Sequence, residues 1–178
     1  KESYLALQEK KSEKYLGGVL SIAQNLSEVC KKVSLLSMIG SHRSYDKKIT
    51  HNLKKNIKYE FVKKKNSPTI LKKRFIEDAN NTKLLGVYSL NDSNLSEKEE
   101  KILISKFNKS SKLSDLIILS DYGHGFFTRN LIKEIYKSKK FLAVNAQVNS
   151  SSIGYHTIMN YRKADLVLMN ETELRHEL

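Results

Sequence analysis

The chain has 178 residues, 39% of them hydrophobic, and 32 Lys and Arg against 19 Asp and Glu give a net charge of +13. This is one domain or part of one, and no run approaches the roughly 18 apolar residues that cross a bilayer. No signal-peptide pattern is visible, and a single cysteine, Cys30, excludes an internal disulfide and any cysteine metal spacing; both points favour a reducing cytoplasm.

The pattern along the chain alternates helical and strand signals. Residues 1–15 are polar and helix-prone, with Leu5, Leu7 and Tyr15 as sparse apolar points, and Gly17-Gly18 breaks that stretch. Val19 to Lys32 reads as a helix, because Leu20, Ala23, Leu26 and Cys30 recur at three- and four-residue spacing. Val33 to Ile39 reads as a strand ending at Gly40, and Asp46 to Asn56 as a helix with Ile49 and Leu53 inward. Ile57 to Val62 alternates apolar with polar, the period of a strand with one wet face. Ile70–Ile76 and Lys83–Tyr88 are charged strands joined by a turn at Asn80-Asn81. Half-exposed antiparallel strands within an otherwise parallel chain suggest a flap, or lid, within residues 57–90. Ser96 to Phe107 is a helix whose N-cap Ser96 and Glu99 make a capping box. Thr128 to Lys139 is another, with Leu131, Ile132, Ile135 and Tyr136 inward.

In the last third one pattern occurs three times. The apolar runs 116–120, 141–144 and 164–169 each end abruptly in small, polar or charged residues. Such runs fit strands buried on both faces, and helical stretches lie between them. The expectation is a parallel α/β sheet, which binds ligands at the carboxyl ends of its strands. Asp121, Asn145, Asn170 and Glu173 then gather on one edge.

The positive charge invites a nucleic-acid reading. The lysines are scattered through most segments, however, and aromatic residues do not interleave with them as stacking platforms would. A solvated basic surface is the plainer reading, and attraction for phosphorylated small molecules is compatible with it.

Each candidate site has a plainer alternative. Gly17-Gly18 before a helix allows a ligand close to the backbone, or is simply a tight loop. Asp121-Tyr-Gly-His-Gly125 places a carboxylate directly after a buried strand, where it can order a hydroxyl or a metal-bound water; the alternative is a capping Asp with turn glycines. Asn170-Glu-Thr-Glu173 can organise phosphate and magnesium, since magnesium prefers few carboxylates plus waters; it is equally a capping box. Lys72 and Arg74 share one strand face and can clamp an anionic sugar phosphate or be solvated. There is no Walker A motif, no Gly-x-Ser-x-Gly and no Cys/His cluster.

Taken in order, these segments resemble the ribokinase-like (phosphofructokinase-B) carbohydrate kinases, and within them the kinase modules of bifunctional heptose kinase/nucleotidyltransferases, the ADP-heptose synthase group. The resemblance runs from about Tyr15 to Leu178. Gly17-Gly18 and the following helix are similar to the family's Gly-Gly sugar-binding segment. Ser67-Pro-Thr-Ile-Leu-Lys-Lys-Arg74 is similar to the flap, Ser120-Asp-Tyr-Gly-His-Gly125 to the Ser-Asp-Tyr-Gly-Lys-Gly loop, and Asn170-Glu-Thr-Glu173 to Asn-x-x-Glu.

The resemblance implies a three-layer, Rossmann-like ribokinase fold with a mostly parallel central sheet and a small β flap, present as an incomplete domain. It implies ATP and Mg2+ as cofactors, a sugar or sugar phosphate as substrate, and phosphoryl transfer to a sugar hydroxyl. Gly17, Gly18, Ser21, Asn25, Lys72, Arg74 and Asp121 would hold the sugar; Asn145, Gln147, Asn170 and Glu173 would face the nucleotide, with Glu173 ordering the metal. A homodimer through the flap and a fused nucleotidyltransferase domain are further implied partners, and no membrane is. Departures are Ser21 where the family often has Asn, His124 where the heptose kinases carry Lys, and Asn145-Ala-Gln147 where many relatives have Asp-Pro-Lys or Asn-Pro-Ala. The family's Gly-Ala-Gly-Asp motif, with its catalytic base, is absent from these residues. The fragment is therefore expected to be inactive alone, and a non-catalytic sugar- or nucleotide-binding module is the competing expectation.

Overall fold

A computed structural model describes residues 6–42, 44–147 and 157–177 of the chain, with residues 176 and 177 as backbone only. It is α/β. The helix α1 (Val19–Val29) leads into β1 (Val33–His42), then α2 (Asp46–His51) and β2 (Ile57–Pro68). A hairpin follows, β3 (Leu71–Ile76) and β4 (Lys83–Ser89). After it come α3 (Glu97–Ser111), β5 (Leu116–Asp121), α4 (Arg129–Lys137) and β6 (Phe141–Ala146). A 3-10 turn (Ile158–Asn160), β7 (Leu166–Val167) and α5 (Glu171–Glu177) complete it. β1 pairs parallel with β2, and β5, β6 and β7 form a parallel sheet in that order.

Two apolar clusters lie on opposite faces of β1 and β2. Val33 and Leu35 of β1 and Ile57 of β2 pack with Ala23 of α1. Residues of the alternate register, Leu36, Met38 and Val62, pack with Leu103 and Phe107 of α3, Leu131 and Ile135 of α4, and Leu119, Leu142 and Val144 of the second sheet. Leu103 and Val144 are wholly excluded from solvent. Strand alternation thus sorts one chain into layers, α1 on one side and α3 with α4 on the other.

Caps set the helix starts as read from the sequence. The Ser96 hydroxyl accepts from Glu99 N, and the Glu99 carboxylate accepts from Ser96 N at 2.8 Å, a complete capping box. Thr128 caps α4 through Leu131 N at 3.2 Å.

Several expectations are corrected. Residues 6–17 hold no helix: Leu7 and Tyr15 are exposed, and a short polar helix with no buried stripe is not stable in water. Residues 1–5 of that stretch lie outside the described residues. Cys30 is not inward; α1 stops at Val29 and Cys30 is exposed. α2 stops at His51, five residues early, where the Asn52 amide turns back to the Lys48 carbonyl at 2.7 Å. β2 runs parallel to β1, so the antiparallel pairing of the proposed flap is confined to β3 and β4. The run 164–169 forms only a two-residue strand.

The strands of the second sheet are also not buried on both faces. Ile117 and Leu119 face the core, but Leu116, Ile118 and Leu166 on the other face are exposed. Parallel sheets bury both faces, and among the described residues no helix covers this one. Among the described residues no helix is long and apolar enough to cross a membrane.

Candidate functional site

The parallel register puts Ser120 beside Asn145 and Asp121 beside Ala146, so the carboxyl ends of β5 and β6 form one edge. Asp121 is buried. Its Oδ1 accepts from Gly123 N at 2.9 Å, which folds the loop sharply back, with Gly123 and Gly125 both at positive φ. Its Oδ2 accepts from the Tyr161 hydroxyl. Burial, with the neighbouring Asp121 charge and hydrogen bond, pushes the Tyr161 phenol far above its ordinary value, so it stays a protonated donor.

Gly18 meets this loop from the other end of the chain. It sits at φ 56°, and a Cβ placed on it would lie 3.6 Å from the Tyr122 ring. The glycine pair and the Asp121 loop, about a hundred residues apart, are therefore neighbours. Ser21 is half-buried and Asn25 exposed on α1.

On the adjoining strand end, Asn145 Nδ2 donates to the Leu168 carbonyl at 2.8 Å and holds β7 against β6. Gln147 N donates to the Asp121 carbonyl at 2.8 Å. Residues 148–149 of the predicted loop lie outside the described residues. Beyond β7, Asn170 Oδ1 accepts from Glu173 N at 2.8 Å and Glu173 Oε2 accepts from Asn170 N at 2.9 Å. This reciprocal cap is the plainer reading of Asn-x-x-Glu, and it buries Glu173. Among the described residues no group of three acidic, His or Cys side chains surrounds a metal position. One carboxylate beside an amide fits a magnesium ion held mainly through water and phosphate.

On the hairpin, Lys72 pairs across the strands with Tyr88, its Nζ 5.7 Å from the ring centroid. Arg74 lies on the same face opposite Gly86 and is exposed. The other face carries Leu71, Phe75, Leu85 and Val87 around Lys73, which pairs with Val87; Leu85 is 44% and Val87 49% exposed. Lys72 and Arg74 thus share one face, and the opposite face is apolar around a central Lys73.

Three residues not singled out in the sequence complete the edge. Tyr161 binds Asp121, Asp92 Oδ1 is 2.7 Å from His124 Nδ1, and Lys64 is buried beneath the 91–93 segment. Lys64 stands in a run of three lysines, which signals a solvated face, and nothing local marks Tyr161 or Asp92.

The architecture and this edge define the class: an α/β domain that carries its candidate ligand groups on the ends of parallel strands. No family model matches the chain. It is 27% identical to the bifunctional protein HldE of Wolinella succinogenes over 167 residues, which is 93% of the chain and 34% of that protein. It is 29% identical to HldE of a Campylobacter jejuni strain over 92% of the chain and 33% of that protein, and 31% identical to HldE of Aliarcobacter butzleri over 71% of the chain and 26% of that protein. The chain spans about a third of the length of the relatives it matches most fully. Its homologues are bifunctional HldE proteins.

Proposed function

We propose that the chain is the sugar-facing part of an ATP-dependent kinase module that phosphorylates a hydroxyl of a heptose phosphate or similar sugar. The carrying observation is the meeting of Gly18 with the Asp121 loop at the strand ends, in a chain homologous to HldE. The loop carboxylate is oriented by Gly123 N and Tyr161, so it presents a fixed acceptor for sugar hydroxyls. Gly17, Gly18, Ser21 and Asn25 line the same approach. Lys72 and Arg74 supply positive charge for a substrate phosphate. Asn145 at the end of β6, Gln147 just after it, and Asn170 and Glu173 beyond β7 face the nucleotide.

Magnesium, when bound, neutralises charge on the transferring phosphoryl group, and Glu173 with Asn170 would order its water shell. The chain's own contribution is positioning and exclusion of water. No base for the sugar hydroxyl is assigned to these residues, and the parent protein has to supply one. The apolar face of the hairpin is read as the contact for a second copy, leaving the basic face toward ligand. A nucleotidyltransferase domain in the parent and a cytoplasmic setting complete the proposal.

Calorimetry on the full-length protein, with a heptose phosphate as titrant, tests it. Wild-type protein binds, and Asp121→Ala weakens binding at least about tenfold, the loss of one or more charge-assisted hydrogen bonds. Equal affinity of Asp121→Ala and wild type refutes the sugar assignment. One specific observation supports the competing, purely structural reading of the loop: both Asp121 oxygens have partners within the chain. Under that reading Asp121→Ala loses stability while affinity in the folded protein is unchanged.

A further inference from the structure

Lys64 is 4% exposed near the end of β2, seven residues before the hairpin begins at Leu71. Its Nζ donates to the Asn91 carbonyl at 2.7 Å and to the Ser93 carbonyl. Both acceptors lie just after β4, where the chain leaves the hairpin. A charge on the incoming strand is thus solvated by the backbone of the outgoing segment, and the two stalks of the hairpin are tied. No carboxylate forms an ion pair with it among the described residues. Burial lowers the ammonium's pKa below the ordinary lysine value, and the more distant charges of Asp92 and Glu99 oppose this.

The outgoing segment in turn holds the loop after β5. Asp92 Oδ1 pairs with His124 Nδ1 at 2.7 Å, and Leu95 N donates to the Gly125 carbonyl at 3.4 Å. Gly125 comes so close that an added Cβ would lie 2.7 Å from the Ser93 carbonyl carbon and 2.9 Å from the Asp92 oxygen. Asn91 Oδ1 accepts from Ser93 N at 3.0 Å and closes the turn between the two sets of contacts. The incoming stalk is fixed separately: Thr69 donates to the Ser44 carbonyl at 2.8 Å and accepts from Gly40 N at 3.0 Å.

We propose that Lys64 is a positioning residue that locks the exit of the hairpin to the loop carrying Asp121, acting through residues 91–93. A buried ammonium needs acceptors, and the carbonyls of Asn91 and Ser93 supply them. Hairpin and loop therefore move as one body, so the position of Lys72 and Arg74 is conveyed to Asp121. The coupling stands on geometry alone; only its consequence for sugar binding rests on the proposed function.

Hydrogen exchange by mass spectrometry on the full-length protein, without ligand, tests the coupling. Lys64→Met keeps most of the unbranched apolar stem and removes the donor. It is expected to speed amide exchange at least about tenfold in both 89–95 and 121–126, with α3 unchanged. Asp92→Ala removes the His124 contact, one link on the far side of Lys64, so exchange rises in 121–126 while 89–94 stays protected. In the double variant, Lys64→Met adds less over 121–126 than it does alone. Unchanged exchange over 121–126 in either single variant overturns the proposal. Where Lys64→Met unfolds the protein, seen as rapid exchange through α3, the Asp92→Ala result decides.

Discussion

Replacing Gly125 by alanine probes the packing of the candidate site directly. Gly125 has φ 73°, and its Cα faces the backbone of Asp92 and Ser93. A left-handed conformation costs a residue with a Cβ about 1–2 kcal/mol. Overlap of the new methyl with two backbone carbonyls adds about 1–3 kcal/mol, because backbone cannot rotate away as a side-chain tip can. Gly125→Ala is therefore expected to destabilise by about 2–5 kcal/mol. For a domain of this size that lowers the unfolding midpoint by about 5–15 °C. Gly17→Ala is the matched control: no heavy atom lies within 4 Å of its would-be Cβ, and its φ is not positive. Its stability should stay within about 1 kcal/mol of wild type. Thermal and urea unfolding followed by far-ultraviolet circular dichroism gives both numbers. Equal midpoints for Gly125→Ala and Gly17→Ala would show that the 91–93 segment and the Asp121 loop are not in contact.

Two other outcomes are expected. Lys73 already stands opposite Val87, and Val87→Lys adds a second, repelling charge beside it. Under the proposed pairing of two copies through the hairpin, the mass by light scattering after size exclusion should fall from dimer to monomer, and an unchanged mass rejects the hairpin as the contact. The Glu99 carboxylate is buried, which raises its pKa, but the Ser96 hydroxyl and the Lys65 and Ser96 backbone N–H groups outweigh burial and hold it below its ordinary value. A lowered carboxylate adds stability above its unfolded pKa of about 4.3 and loses it as pH falls through the folded value, so Glu99→Gln should be destabilised at pH 7 and match wild type once the carboxylate is protonated in acid. A destabilisation that persists undiminished into acid would assign Glu99 to packing rather than charge.

The candidate site was legible where its signal was local. Asp121 with Gly123 and Gly125 follows an apolar run, and that pattern alone marks a strand-end turn. Ser96 and Glu99 mark a helix start three residues apart, and Asn170 and Glu173 do the same. Lys64 and Tyr161 were illegible, because each owes its burial to segments about 27 and 40 residues away. The hairpin was visible from its charge alternation and turn, but the parallel pairing of β2 was not, because an alternating strand reads the same whichever neighbour it takes.

The sequence by itself determined the kinds of element, their order, the caps and the turns, since these depend on residues within a few positions of one another. It also placed polar groups after each strand of the last third. Only the tertiary structure decided which of those groups meet. It set Gly18 against Tyr122, turned the Asp121 carboxylate toward Tyr161, and buried a lysine to tie the hairpin to the site. Such contacts join segments distant along the chain, and their energies come from desolvation and close packing that no local pattern encodes.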